Sequence, residues 1–220
     1  MKSTIGILAV TFCLFAQPSL AQQYQIVPNA NSGTGVALVI PYDLGTHHGS
    51  ALQIAGGLVI SENFASITGG FTVPIDSLNT GNPTRDCHMR ESLGLDYSKS
   101  HFPKAHVCDS KNQLPSAGVD AAAFQTIEFK LLSVTGEVAS QMKPGNTFTV
   151  TANGTWSLHG IEKNLSFAMK VTVLANGTLN IKGSVPFAIS DYGIIVKPLL
   201  GIGVKNNMSA DLDIFLAPKK

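Results

Sequence analysis

Charge is scarce in this chain. Asp, Glu, Lys and Arg make up 13% of residues, and the formal net charge is +1. No basic cluster occurs beyond Lys219-Lys220, so there is no long-range field to draw in nucleic acid or an anionic bilayer. Cysteine is equally scarce: three residues, with no Cys-x-x-Cys spacing, which argues against the common zinc sites. The chain contains no Gly-x-Ser-x-Gly element, phosphate loop or evident pair of hydrolase carboxylates, and it is not expected to be an enzyme. No apolar run reaches the length of a membrane-spanning helix.

The chain opens with Met1-Lys2-Ser3, followed by a mostly apolar run from Ile5 to Phe15 and then Ser19-Leu20-Ala21. A positive end, a short apolar core and small residues before a cut form a secretory signal peptide over residues 1–21. The run is too short to cross a ~30 Å hydrocarbon core. Cys13 lies inside the run, behind Phe12 rather than a small residue, which does not suit a lipidation site. The mature protein is expected to start at Gln22, to be periplasmic or secreted, and to form one domain over residues 22–220. Loss of Lys2 leaves 14 basic residues against 14 acidic ones. Cys87 and Cys108 remain, and in an oxidising compartment such a pair tends to bridge. Two free thiols, or a metal site with His88, His101 and His106, are the alternatives.

Glycine is abundant (21 residues), and no fixed-period repeat or Pro/Ser-rich linker divides the chain. Leu165, Phe167, Met169, Val171 and Val173 share one parity, and Ser166, Ala168, Lys170 and Thr172 the other, as in a half-buried strand. Asn176-Gly177 is a hairpin signal, and a strand follows from Thr178 towards Phe187. Met208, Ala210, Leu212, Ile214 and Leu216 alternate with Ser209, Asp211 and Asp213. Ile127, Phe129 and Leu131 alternate with Glu128 and Lys130. Runs near Val36–Ile40, Leu52–Ile60 and Thr68–Ile75 bring the total to about eight strands. The polar, His-rich stretch Thr84–Lys111 reads as an excursion with a short helix around Arg85–Leu93, and Val196–Gly203 as a loop. The class is all-β, a barrel or a sandwich.

Four ordered motifs carry a resemblance. The stretch Ser77-Leu78-Asn79-Thr80-Gly81-Asn82-Pro83-Thr84-Arg85-Asp86-Cys87-His88-Met89-Arg90 is similar to the pattern S-L-x-T-G-x-x-x-R-D-x-H-L-R/K of YceI-like proteins. Ile127-Glu128-Phe129 matches the strand that follows it. Gly154-Thr155-Trp156-Ser157-Leu158-His159-Gly160-Ile161-Glu162-Lys163 is similar to G-x-L-T-I-H-G-V-T-K. Phe187-Ala188-Ile189-Ser190-Asp191-Tyr192-Gly193-Ile194 is similar to F-x-I-x-x-x-D-F/Y-G-I. The resemblance covers nearly all of the mature chain. It implies an eight-stranded antiparallel, lipocalin-like barrel that holds a polyisoprenoid or similar long-chain lipid without catalysis or a resident cofactor. Departures lie at Pro41-Tyr42-Asp43 before Leu44-Gly45, at Ala55-Gly56-Gly57 in place of R-G-x-F, at Cys87, and in the long segment carrying Cys108. Asn153-Gly154 alone reads as a hairpin turn. The comparison instead implies a bulge in one strand running to His159, with the turn at His159–Lys163.

The candidate ligand-binding residues follow from these motifs. Arg85, Asp86 and His88 suit a polar rim for a head group, or a structural tie between helix and barrel. His159, Asp191 and Tyr192 suit a head-group contact or a loop anchor. Phe129, Trp156, Phe167 and Met169 suit the wall of a lipid pocket or plain core. Sequons at Asn153, Asn164, Asn176 and Asn207 mark positions expected to be exposed. The competing readings are a filled, partner-binding barrel and a redox module carrying quinone or haem. An apolar barrel mouth gains from being covered, which makes a homodimer, or a membrane donor or acceptor protein, the partners to expect.

Overall fold

The computed structural model describes residues 21–28, 35–62, 64–94, 108, 124–196, 198 and 200–219. The expected signal peptide, apart from Ala21, and His101 and His106 lie outside the described residues. Eleven strands form one antiparallel sheet that closes on itself. They are β1 (Gln22–Val27), β2 (Val36–Tyr42), β3 (Gly45–Ala51), β4 (Ala55–Ile60), β5 (Ile67–Pro74), β6 (Leu78–Asn79), β7 (Thr126–Thr135), β8 (Thr147–Leu158), β9 (Ile161–Val173), β10 (Leu179–Ala188) and β11 (Asn207–Pro218). One α-helix, α1 (Pro83–Ser92), lies between β6 and β7.

Eleven strands make eight staves, because three staves are each built from two pieces. Along β11, Phe215–Pro218 pair with β1 and Ser209–Leu212 with β2. The next stave is β4 beside β1 and β3 beside β2. The third is β5 beside β4 and β6 beside β3. From there β7, β8, β9, β10 and β11 complete the ring. The architecture is the eight-stranded antiparallel barrel with a short helical excursion that the resemblance implied. Closure leaves no open edge on the staves of the ring.

The alternation read in β7, β9, β10 and β11 is the inward face. Ile127, Phe129, Leu131, Phe167, Met169, Val171, Ile181, Val185, Ala210, Leu212 and Ile214 are all buried. Two strands have no such pattern. In β1 the run Gln22-Gln23-Tyr24-Gln25 is too polar to show one. In β3 the run Gly45-Thr46-His47-His48-Gly49 has no apolar side chain. Both exist because their neighbours supply ladder partners.

The β8–β9 connection differs from expectation in two respects. The strand β8 runs unbroken through Asn153-Gly154 and ends at Leu158. The turn is only His159-Gly160, with φ of 53° and 74°, the positive pair that a two-residue primed turn requires. The bulge is on the neighbouring strand. Leu131 pairs with Gly154 and Ser133 with Asn153, so Leu132 is the extra residue on β7. Gly154 is needed opposite it, because a Cβ there would lie 2.3 Å from Lys130 O and 2.7 Å from the Phe129 ring.

Gly70 in β5 is more constrained. Its φ is +152°, and a Cβ would lie 1.9 Å from Phe129 O. Neither backbone can move without breaking the β5–β7 ladder. Gly70→Ala is expected to cost about 3 kcal/mol or more through strain and overpacking. A urea unfolding midpoint equal to that of the parent chain would contradict this.

Candidate ligand-binding cavity

The motif residues around Arg85 fall on a helix for local reasons. Asn82 is its N-cap, with Oδ1 accepting from Arg85 N at 3.0 Å, and Pro83 opens the first turn with its φ already suitable. One face of α1 fastens it to the barrel. Asp86 Oδ1 accepts from both Thr80 N and Thr80 Oγ1, each at 2.6 Å. Arg90 donates through Nε and Nη2 to Leu78 O at 3.1 and 2.7 Å. Cys87 is disulfide-bonded to Cys108. Asp86, Cys87 and Arg90 are buried.

The other face carries Arg85, His88, Met89 and Ser92, and these cover a cavity inside the barrel. Their spacing of three, four and seven is one side of a helix. The cavity measures about 170 Å³. Its walls come from β2 (Val36, Leu38, Ile40), β7 (Ile127), β8 (Trp156, Leu158) and β11 (Met208, Ala210), with Val196 and Val204 from the loop before β11. Polar groups sit mainly on α1 and at His47 of β3. The His47 ring stacks on Tyr42, with centroids 4.1 Å apart and planes 8° from parallel.

Burial lowers the His47 imidazole from its ordinary pKa, and the Arg85 guanidinium adds to the effect. The folded state therefore resists a proton that the unfolded chain accepts. The stability tied to this group is present above the ordinary imidazole range and is lost as pH falls into the lowered range. Acidification from pH 7 to 5 is expected to lower the thermal midpoint less in His47→Gln than in the parent. Equal shifts would remove His47 as the cause.

Beneath this cavity lies a cluster of rings. Trp156 meets Phe71 (5.9 Å), Phe129 (6.4 Å) and Phe187 (6.2 Å) between centroids. Phe129 also meets Phe167 at 5.3 Å. Beyond them is a second apolar space of about 50 Å³, lined by Phe71, Phe129, Leu131, Phe167, Met169 and neighbours. The rings partition the barrel interior, and a chain running its full length has to turn them aside. Trp156 is 3% exposed, and its Nε1 is the buried side-chain polar atom without a partner among the described residues. Such an unmet donor costs about 1–3 kcal/mol.

The ten candidate residues are therefore dispersed. Arg85, His88 and Trp156 line the larger cavity, while Phe129, Phe167 and Met169 line the smaller one. Asp86, His159, Asp191 and Tyr192 line neither. Asp86 is held by Thr80. His159 Nδ1 lies 2.9 Å from Tyr192 O, and its ring meets Phe124 edge-on, which ties the β8–β9 turn to the 3₁₀ turn Ile189–Tyr192. Tyr192 is buried, and burial, with Asp191 adding, pushes its phenol up to about 12. Asp191 is exposed. Sequence reasoning missed His47, Met89, Ser92 and the loop residues Val196 and Val204. For Met89 and Ser92 the helical spacing from Arg85 was a usable signal. His88, Glu91 and Cys108 bring donor atoms within 4.8 Å of one another, but the Cys108 sulfur is bonded to Cys87 and is no thiolate.

The YceI-like domain profile matches residues 24–216. The chain belongs to the YceI-like family. No curated protein sequence matches it. Among solved structures of this fold, it is similar to a polyisoprenoid-binding domain from Saccharophagus degradans implicated in plant cell wall breakdown. That comparison has 14% identity and a TM-score of 0.62, covering 89% of this chain and 98% of that one. It is similar also to Burkholderia cenocepacia BcnA, at 11% identity and a TM-score of 0.59, covering 83% and 94%. The Campylobacter jejuni YceI protein gives 13% and 0.51, covering 78% and 84%. Within this YceI-like barrel, the R-D-x-H motif has two uses: Arg85 and His88 face the cavity, while Asp86 and Cys87 face the fastening side.

Proposed function

We propose that this chain is an exported binding protein, not an enzyme, that shelters an isoprenoid or similar long-chain amphipathic lipid for transport, storage or stress protection. The observation that carries this reading is an apolar cavity of about 170 Å³ inside a closed barrel, roofed by a helix that brings Arg85 and His88 to it. Sheltering a chain there gains about 0.8 kcal/mol per CH₂ removed from water, and no reactive group is required. Membership of the YceI-like family and the polyisoprenoid-binding relative support the same class of cargo. Arg85 and His88 suit an anionic or oxygen-rich end group.

Loading from an apolar surface fits the rim. Val196 and Val204 line the cavity, while in the same loop Ile195 is 83% and Leu200 93% exposed. Leu44, 69% exposed, joins them, because Asp43 beside it accepts from Gly203 N and pairs with Lys205. A membrane, a second copy or a delivery protein is the surface this rim would meet. The leader at residues 1–21 and the Cys87–Cys108 bridge support export to the periplasm or beyond.

Native mass spectrometry of the mature protein from its own host, followed by solvent extraction, tests the reading. A stoichiometric prenyl or acyl adduct is expected. A bare mass, repeated without detergent and with the bridge intact, would favour a filled, partner-binding barrel instead.

A further inference from the structure

We infer that Trp156 forms a hydrogen-bonding subsite inside the barrel, so that the cargo carries a neutral oxygen acceptor within its buried portion. The proposal rests on the cargo reading above and specifies the ligand further. Trp156 lines the larger cavity and is 3% exposed. Its Nε1–H finds no acceptor among the described residues. The rings it packs on, Phe71, Phe129 and Phe187, have no lone pair to offer. A water there would need two to four polar partners to be held, and the cavity gathers its polar side chains mainly on α1 and at His47.

Position and sequence point the same way. Trp156 stands where the pattern quoted above has Leu, which would fill this part of the wall with no donor at all. Tryptophan adds a donor, and it does so at the aromatic partition rather than at the rim. A purely hydrocarbon chain would leave that donor unmet. A chain with a ketone, ester or ring carbonyl at this depth would satisfy it. A charged phosphate is a poor occupant, because burying an anion beside one neutral donor does not offset its lost hydration. Charge belongs at the Arg85 end, and the neutral acceptor at Trp156.

The test uses two probes of equal length, methyl undecyl ketone and n-tridecane, with the mature, bridged protein. The chain has one tryptophan, so its proton–nitrogen correlation spectrum has one indole N–H signal. The ketone is expected to move that signal downfield and slow its exchange with solvent, whereas tridecane fills the cavity without doing so. Trp156→Phe keeps a ring and removes the donor. It is expected to weaken the ketone about five- to tenfold more than the alkane, as one neutral hydrogen bond would. If both probes bind and move the signal alike, or the variant weakens both equally, the subsite is overturned while the cargo reading stands. If neither probe binds, the cargo reading fails and the subsite with it. The indole signal is read on the parent chain, so the test holds even if the variant folds poorly.

Discussion

Ala210→Phe is expected to abolish or sharply weaken uptake of a long-chain lipid while leaving the barrel folded. Ala210 is 1% exposed, faces inward from β11 and lines the larger cavity. Its strand neighbours are Val185 on β10 and Leu38 on β2. A ring at this position projects into space that the apolar walls leave open, so the usual cost of overpacking, about 1–3 kcal/mol, is the upper end of what the fold should lose. The ligand loses more. Displacing even three methylenes forfeits about 2.4 kcal/mol, or about fifty-fold in affinity. Titration with a fluorescent long-chain probe, alongside a urea melt, separates the two effects. Undiminished binding by a folded variant would show that the cargo sits elsewhere.

The second large effect is expected from the bridge. Replacing Cys87 and Cys108 together by Ser should cost about 3 kcal/mol of stability, because the bridge closes a loop with a sequence separation of 21. Cys87 also lies on the fastening face of α1, between Asp86 and Arg90. Losing the bridge loosens the helix that places Arg85, His88, Met89 and Ser92 over the cavity. The variant should therefore release bound probe faster than the parent, as well as unfolding at lower urea. An unchanged midpoint would mean that the loop is already restrained in the unfolded chain. An unchanged release rate would mean that the Thr80–Asp86 and Leu78–Arg90 contacts hold α1 without help.

The two predictions draw on different levels of information. That Ala210 faces inward is readable from the alternation with Ser209 and Asp211. That it belongs to the larger cavity is not, since Leu212 and Ile214 share its parity and line the smaller one. The same holds for Ile127 and Phe129, two residues apart on one face of β7 and in different spaces. A period of two reports which side of a sheet a residue faces. It carries no information on height along the barrel axis, which depends on how the staves are staggered against one another.

The sequence by itself determined the class of the molecule. Alternation in β7, β9, β10 and β11, the Asn176-Gly177 turn and the four ordered motifs led to a YceI-like antiparallel barrel, because each is a local property of a few neighbouring residues. The tertiary structure decided the rest. It made strands of Gln22–Val27 and Gly45–Ala51, whose side chains show no strand pattern, by giving their backbones ladder partners. It moved the bulge from Asn153-Gly154 to Leu132, because the extra residue is defined only by the register of two paired strands. It divided the candidate site between a roofed cavity, a second apolar space and a set of structural ties. It also left the Trp156 indole N–H without a partner. Whether a donor is satisfied depends on every atom that surrounds it, and those atoms come from strands far apart in the chain.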